Sequence, residues 1–328
     1  MSRFFLIASW VLLFVVSAFA GDYRKVDEYA KRAGKEANYK LMAMKLAKPF
    51  ATQKEKARAI YVWIAYNIRY DYAKYKGQRR RGGYRITGRN KKEIEKKRKL
   101  IRQKKINKVY RTGKGVCEDY SYLFQAMCRV AGIKTAYITG KIRVSPQRIG
   151  YFPKYNNHAW NAIQINGKWH LIDVTWAAGT IVNGRFKRRF TGDYFMADPR
   201  LFVLEHYPDN PKWQLLPKPL TKKQFATRVF VYSGFHDYGI KAFSPHYAYF
   251  DPAKRYATVN MQFKGRVPQI VMLNGGKVKK LKESRQGNTV KLTIPVYRKY
   301  NKDIILGVKK GRRFVPILHY KVKKHGRS

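Results

Sequence analysis

Apolar and polar residues alternate along the chain in three distinct rhythms. Residues 4–20 form an almost unbroken apolar run. Toward residue 133 the apolar positions recur at helical spacing. Tyr120, Leu123, Phe124, Met127 and Ala131 fall at i, i+3, i+4, i+7 and i+11, with Gly132 as a stop, and predict an amphipathic helix. Segment 21–50 is likewise helical in pattern and is expected to pack on the core. From 156 onward the rhythm changes to two. Two runs rich in strand formers flank Asn166-Gly167, the strongest short signal for a two-residue type I′ hairpin turn. Beyond a Pro-containing linker at 215–223, short β-type runs at 256–263, 268–276, 289–297, 303–311 and 314–322 predict a small β-sandwich.

The first run reads as a leader. MSRFFLIASWVLLFVVSAFA carries one arginine, an apolar stretch and Ala18-Phe19-Ala20 before the polar GDYRK. This is the pattern of a secretory signal peptide cut after Ala20, so a secreted or periplasmic location is expected. Exported proteins usually pair their cysteines. Here the two thiols, Cys117 and Cys128, are eleven residues apart. On one helix their Cα atoms would lie about 16 Å apart, whereas a disulfide needs less than about 7 Å. Both are expected to be free. Cys128 sits among apolar neighbours and reads as core. Cys117 follows a Gly-Lys-Gly turn and opens the helix, where the positive end of the helix dipole favours a thiolate. A base would make it a nucleophile.

The hairpin supplies one. A two-residue turn at Asn166-Gly167 sets Ile165 opposite Lys168, Trp160 opposite Asp173 and His158 opposite Thr175. His158 and Asp173 are then diagonal neighbours on one face, with Cβ atoms roughly 7 Å apart or less. His170 pairs with Ile163 and points the other way. A three-residue loop would shift the register by one and separate His158 from Asp173. Trp160 and Trp176 read as packing. Cys117, His158 and Asp173 together follow Cys-His-Asp logic: the thiolate attacks, the imidazole carries the proton, and the carboxylate orients the imidazole.

This order of helix and hairpin resembles the transglutaminase-like branch of papain-type cysteine enzymes. AIYVWIAYNIRYD (59–71) is similar to the family's helix before the nucleophile, GKGVCEDYSYLFQAMCRVAGI (113–133) to its nucleophile helix, and HAWNAIQINGKWHLIDVTW (158–176) to its His and Asp strands. YFMADPRLFVLEHYPDNPKWQLL (194–216) resembles a segment of its kyphoscoliosis-peptidase-like members. The resemblance implies an α+β fold: a papain/transglutaminase-like core with N-terminal helices and a hairpin-containing antiparallel sheet, followed by the β-sandwich. It implies Cys117 as nucleophile, His158 as general base and acid, Asp173 as its orienter, and the Cys117 backbone N–H as one oxyanion donor. The expected organisation is a leader (1–20), a transglutaminase-like catalytic domain (21–217) with a basic insertion (76–114), and an accessory sandwich (218–328).

Charge adds a feature the resemblance does not require. Lys and Arg number 71 against 19 Asp and Glu, for a formal charge of +52. Between Lys76 and Lys114 there are 18 basic residues and two acids, Glu93 and Glu95. Ile94, Leu100, Ile101 and Ile106 allow a weak helix there. Such a block is either a solvated loop or a site for an acidic polymer or anionic surface. No zinc spacing, phosphate loop or RNA-binding signature appears, so neither a metal, a cofactor nor a dedicated nucleic-acid module is expected. The reading is therefore an acyl-transfer enzyme acting on protein or peptide amides, a peptidase, amidase or transglutaminase. The alternative is a non-catalytic scaffold of the same fold that binds acidic envelope polymers.

Overall fold

The computed structural model describes residues 23–81, 86–296 and 303–323. The leader-like segment 1–20 lies outside these. Helices α1 (Arg24–Arg32), α2 (Tyr39–Ala47) and α3 (Gln53–Asn67) open the fold. Asn38 caps α2 by accepting the amides of Lys40 and Leu41. Thr52 and Glu55 form a capping box on α3. Nine consecutive residues of α3, Ala57–Ala65, are buried, because neighbouring elements cover it on every side. A two-residue strand β1 (Arg69–Tyr70) leads to α4 (Tyr72–Arg81).

The basic insertion is more ordered than its sequence suggests. It forms α5 (Lys91–Thr112), 22 residues long and capped by Asn90, whose side chain accepts the amide of Glu93. Gly113 ends it in the left-handed region (φ 64°). Strand β2 (Lys114–Gly115) then pairs with β1 in parallel, Tyr70 opposite Gly115. Only glycine fits at 115, since a Cβ there would lie 2.7 Å from the Asp119 Cβ. Helix α6 (Cys117–Val130) follows, with Tyr120, Leu123, Phe124, Met127 and Cys128 buried against α2, α3 and the sheet. The predicted apolar face is the one that packs. Both cysteines are free.

Strands β3 (Thr135–Ile142), β4 (His158–Ile165) and β5 (Lys168–Ile172) lie at the centre of a five-stranded sheet. After β5 come helix α7 (Val174–Ala178), the hairpin β6 (Gly179–Val182) and β7 (Arg185–Arg188), then β8 (Phe195–Ala197), α8 (Pro199–Phe202) and β9 (His206–Pro208). The sheet order is β8-β5-β4-β3-β9, antiparallel throughout. The β4–β5 turn is the two-residue form: Asn166 and Gly167 both have positive φ (48° and 78°), and Ile165 faces Lys168. The ladder runs to Asn161 opposite Ile172 and stops. The expected pairings of Trp160 with Asp173 and His158 with Thr175 do not form. Asp173 instead turns to cap α7, where Thr175 lies.

The C-terminal part has its own core between a six-stranded and a four-stranded sheet, with Val259, Leu292, Leu306 and Leu318 fully buried. Leu204, just before β9, joins this second core. The two halves are therefore packed together ahead of the 215–223 linker.

Candidate active site

Cys117 is the first residue of α6, and its turn is fixed from both sides. The carboxylate of Asp119 accepts the Val116 amide at 2.9 Å and an ion pair from Lys74 of α4 at 2.5 Å. The Tyr120 hydroxyl donates to the Ile68 carbonyl at 2.8 Å, tying α6 to the end of α3. Strand β4 is tied to the same helix, since the Asn161 amide donates to the Ser121 carbonyl at 3.2 Å. These bonds hold the strand carrying His158 against the helix carrying Cys117. Both partners are buried, so each bond replaces one that water cannot supply.

His158 lies at the start of β4, and its Nε2 is 2.6 Å from Asp173 Oδ2. Asp173 is fully buried. Its Oδ1 accepts the amides of Thr175 and Trp176 at 2.8 and 3.0 Å, the α7 cap. Oδ2 carries a second contact, to Nε2 of His206 at 3.0 Å. Asp173 thus receives four hydrogen bonds, which fix both oxygens. Burial alone would raise its pKa, but the charge and hydrogen bond of His158, then those of His206, outweigh it and hold the carboxyl well below the usual range. Burial likewise pushes His158 down. Asp173, through charge and hydrogen bond, and Cys117 with it, reverse this and lift the imidazole to about 10. In His206 burial wins and the pKa is lowered, so the ring is neutral and donates Nε2–H to the carboxylate. Because Nε2 of His158 is committed to Asp173, Nδ1 is the nitrogen available to the thiol.

His206 escaped the sequence reading. It sits 33 residues beyond Asp173 on β9, stacked on Phe202 at 3.8 Å between ring centres. No local pattern marks it; only the pairing of β9 with β3, His206 opposite Ile142, brings it in. Trp176 packs on His158 and His206, at 5.6 and 4.5 Å between ring centres. Trp160 is buried, stacked near His158 at 6.0 Å.

Ligand atoms of His158, Asp173 and His206 lie within 4.8 Å of one another, close enough to consider a metal. The 2.6 and 3.0 Å separations are those of hydrogen bonds, however. Two tetrahedral zinc ligands at about 2.0–2.1 Å from the ion would sit roughly 3.3 Å apart. The three side chains are built as a proton-holding network.

A cleft of about 650 Å³ opens beside this network, lined by Tyr70, His158, Trp176, Tyr194, Glu205 and His236 among others. His236 comes from the C-terminal half, which therefore forms one wall. The cleft is of a size that holds a peptide side chain or two, and its aromatic lining is typical of binding sites. Burial, and next the neighbouring Cys117, raises the pKa of the Tyr70 phenol, which stays protonated as a hydrogen-bond donor.

Residues 42–174 match the family model of the transglutaminase-like superfamily. Cys117, His158 and Asp173 lie inside this span; His206 lies outside it. The chain is 30% identical to the kyphoscoliosis peptidase of Homo sapiens over 257 residues, 77% of this chain and 36% of that protein. It is 33% identical to hillarin of Drosophila melanogaster over 141 residues (38% of this chain, 17% of hillarin). A Lim and transglutaminase domain protein of Caenorhabditis elegans is 31% identical over 138 residues (38% of this chain, 19% of that protein). The chain spans about a third of the length of the human relative (36%) and under a fifth of the other two.

Proposed function

Residues 42–174 are a transglutaminase-like superfamily domain, and from that premise we propose that the protein is a cysteine-dependent acyl-transfer enzyme acting on amide bonds. Cys117 Sγ attacks the amide carbonyl carbon as a thiolate beside the protonated His158, whose Nδ1 holds the proton. The oxyanion is met by the Cys117 backbone N–H at the start of α6. Collapse expels the amine, which takes its proton from Nδ1 of His158, and leaves a thioester on Cys117 and a neutral imidazole. Water or a second amine then attacks, giving its proton to the neutral His158, and collapse releases the Cys117 thiolate beside the restored imidazolium. Hydrolysis and transamidation share every step up to the thioester. The protein is also proposed to act outside the cytoplasm, on the strength of the leader-like pattern in 1–20. A mature N-terminus at Gly21 rather than Met1 checks this.

The observation that carries the reading is the 2.6 Å contact between His158, which lines the cleft, and a fully buried Asp173. A carboxylate so well supplied with donors stabilises the imidazolium from which the leaving amine takes its proton. The test is acylation by an activated ester, with the adduct located by mass spectrometry, beside alkylation by iodoacetamide. An acyl adduct on Cys117, slowed at least 10-fold in His158→Ala, is the expected result. No adduct on Cys117, with alkylation indifferent to His158, would sink the proposal. The second reading, a scaffold of this fold that binds acidic polymers with an idle site, would then lead. It draws separate support from the charge on α5.

A further inference from the structure

Helix α5 differs from every other long helix described. Its last turns are anchored: Ile106, Val109 and Tyr110 are buried, and Tyr110 stacks on Trp63 of α3 at 5.6 Å between ring centres. The preceding turns project into solvent. Lys91, Lys92, Lys96, Lys97, Arg98, Lys99 and Lys104 are all exposed. From Lys91 to Lys104 there are eight basic residues and two acids, a net of 8 − 2 = +6 over 14 residues. Both acids are already occupied by cations of the helix or just before it, Glu93 with Lys97 (2.8 Å) and Arg89 (3.7 Å), Glu95 with Arg98 (3.8 Å).

This charge is expensive to keep on a helix. Like charges at i, i+4, such as Lys92 with Lys96 and Arg98 with Arg102, repel one another and weaken it. At about 1.5 Å per residue the 14 residues span about 21 Å, or one net positive charge per about 3.5 Å. One strand of a nucleic acid duplex carries a phosphate every ~3.4 Å. Along its axis the helix therefore carries net charge at about the spacing of phosphates along one duplex strand. It does not match a lipid surface. At about 100° per residue, Lys92, Lys97 and Arg98 point in three well-separated directions, while Leu100 lies on a different side from Ile94 and Ile101. A helix lying in a membrane interface needs one apolar face, and the projecting turns of α5 have none.

The helix is also mounted on the nucleophile. Lys105 pairs with Glu118, the residue after Cys117. Arg102 stands over the Tyr122 ring at 5.1 Å. Only Gly113, the short β2 segment and Val116 separate the end of α5 from Cys117.

We propose that α5 is the docking surface for a linear, phosphate-bearing polyanion, and that it presents amides attached to that polymer to Cys117. The second half rests on the acyl-transfer reading; the first does not. Lysine dominates the exposed set, and lysine acts as a point charge without a fixed fork geometry. The surface thus reads charge spacing and tolerates variation in the polymer's chemistry between phosphates.

The test is binding of long-chain inorganic polyphosphate to the full chain between about 50 and 200 mM salt. One variant carries Lys91, Lys92, Lys96, Lys99, Lys104 and Lys108→Gln. A control carries Lys277, Lys280, Lys282, Lys291, Lys309 and Lys310→Gln in the sandwich, with the same loss of charge. All twelve side chains are exposed, so neither set touches a core. With about 0.7 counterions released per phosphate met, six net charges contribute a slope of roughly −4 in log K against log salt. The helix variant should lose that slope and at least 100-fold in affinity at low salt, with the control near wild type. Equal losses in both variants would mean that overall charge drives binding, and would overturn the proposal. So would tight binding to vesicles rich in phosphatidylglycerol with none to polyphosphate. Hydrogen exchange gives a readout free of mutation: polyphosphate should slow exchange over 91–105, and protection confined elsewhere overturns the assignment. Cys117→Ala should bind as wild type does. If Cys117 never acylates yet binding maps to α5, the enzymatic reading fails while this one stands.

Discussion

Two histidine–carboxylate clusters line the same cleft and do different work. In the first, His158 and His206 share one oxygen of Asp173, and the three side chains are almost fully buried, at 4%, 0% and 0% exposure. In the second, His236 stands 3.7 Å from Asp193 and 3.3 Å from Glu205, with side chains 15%, 21% and 11% exposed. Tyr194 donates to this group and Lys264 pairs with Asp193 at 2.6 Å. Both clusters raise a histidine, His158 to about 10 and His236 to about 9. In His236 too, burial pulls down, and Asp193 and Glu205 more than offset it. The difference lies in what fixes the carboxylate. Asp173 is pinned by two backbone amides of its own helix cap, so its partner is held at one angle. Asp193 and Glu205 meet His236 and Lys264 across the seam between the halves, and it is His236 that stands at the longer distances. The first arrangement aims a ring; the second fastens two parts of the molecule.

The sharpest way to break this comparison is Asp173→Asn. It removes the charge that lifts His158 and inverts the hydrogen-bonding of one oxygen, and kcat/KM should fall roughly 10³–10⁴-fold. The alkaline limb of the rate profile should move with it. In the native protein His158 keeps its proton until pH nears 10; without Asp173, burial dominates and the limb should drop below the ordinary value near 6.5. A limb unmoved in Asp173→Asn would mean that another group sets it.

Asp193→Asn should act on stability alone, costing about 1–3 kcal/mol as His236 and Lys264 lose a charged partner. Cys117 acylation should change less than 2-fold, roughly the noise of such assays; a large loss would move the second cluster into the chemistry. The pH dependence follows from the sign of the shift. His236 is raised above its ordinary 6.5, so its contribution is complete below that and is lost as pH climbs toward about 9. Thermal unfolding midpoints should decline through that window in the native chain and be flatter in Asp193→Asn. A smaller effect separates the two rings on Asp173. His206→Ala should lower kcat/KM about 10-fold, near the value of one hydrogen bond to a charged group. His206→Gln, which keeps an N–H donor, should recover most of it. Equal loss in both would assign His206 to packing.

The first cluster was half legible before folding. The Asn166-Gly167 turn sets the β4–β5 register, and that register brings His158 to the strand end nearest Asp173. The reading failed in detail at Asp173 itself. A strand continuing past Ile172 would leave the Asp173 side chain unsatisfied. Capping α7 gives one oxygen two amides and turns the other onto His158 and His206. Local capping chemistry overrode the ladder. The second cluster was not legible, because His236, Asp193 and Glu205 belong to segments that meet only where the two halves pack.

The basic insertion shows the same limit from the other side. Its charge was plain in the composition, and its weak apolar positions gave little reason to expect 22 residues of helix. The helix stands because Asn90 and Gly113 close its ends and Ile106, Val109 and Tyr110 dock its last turns. By itself the sequence determined what short-range physics controls: the amphipathic face of α6, the hairpin turn, the two free thiols and the sign of the charge. The tertiary structure decided which distant groups share one carboxylate, which wall closes the cleft and where the basic helix points. Those depend on loop closure and on contacts between residues far apart in the chain, whose energies no local pattern encodes.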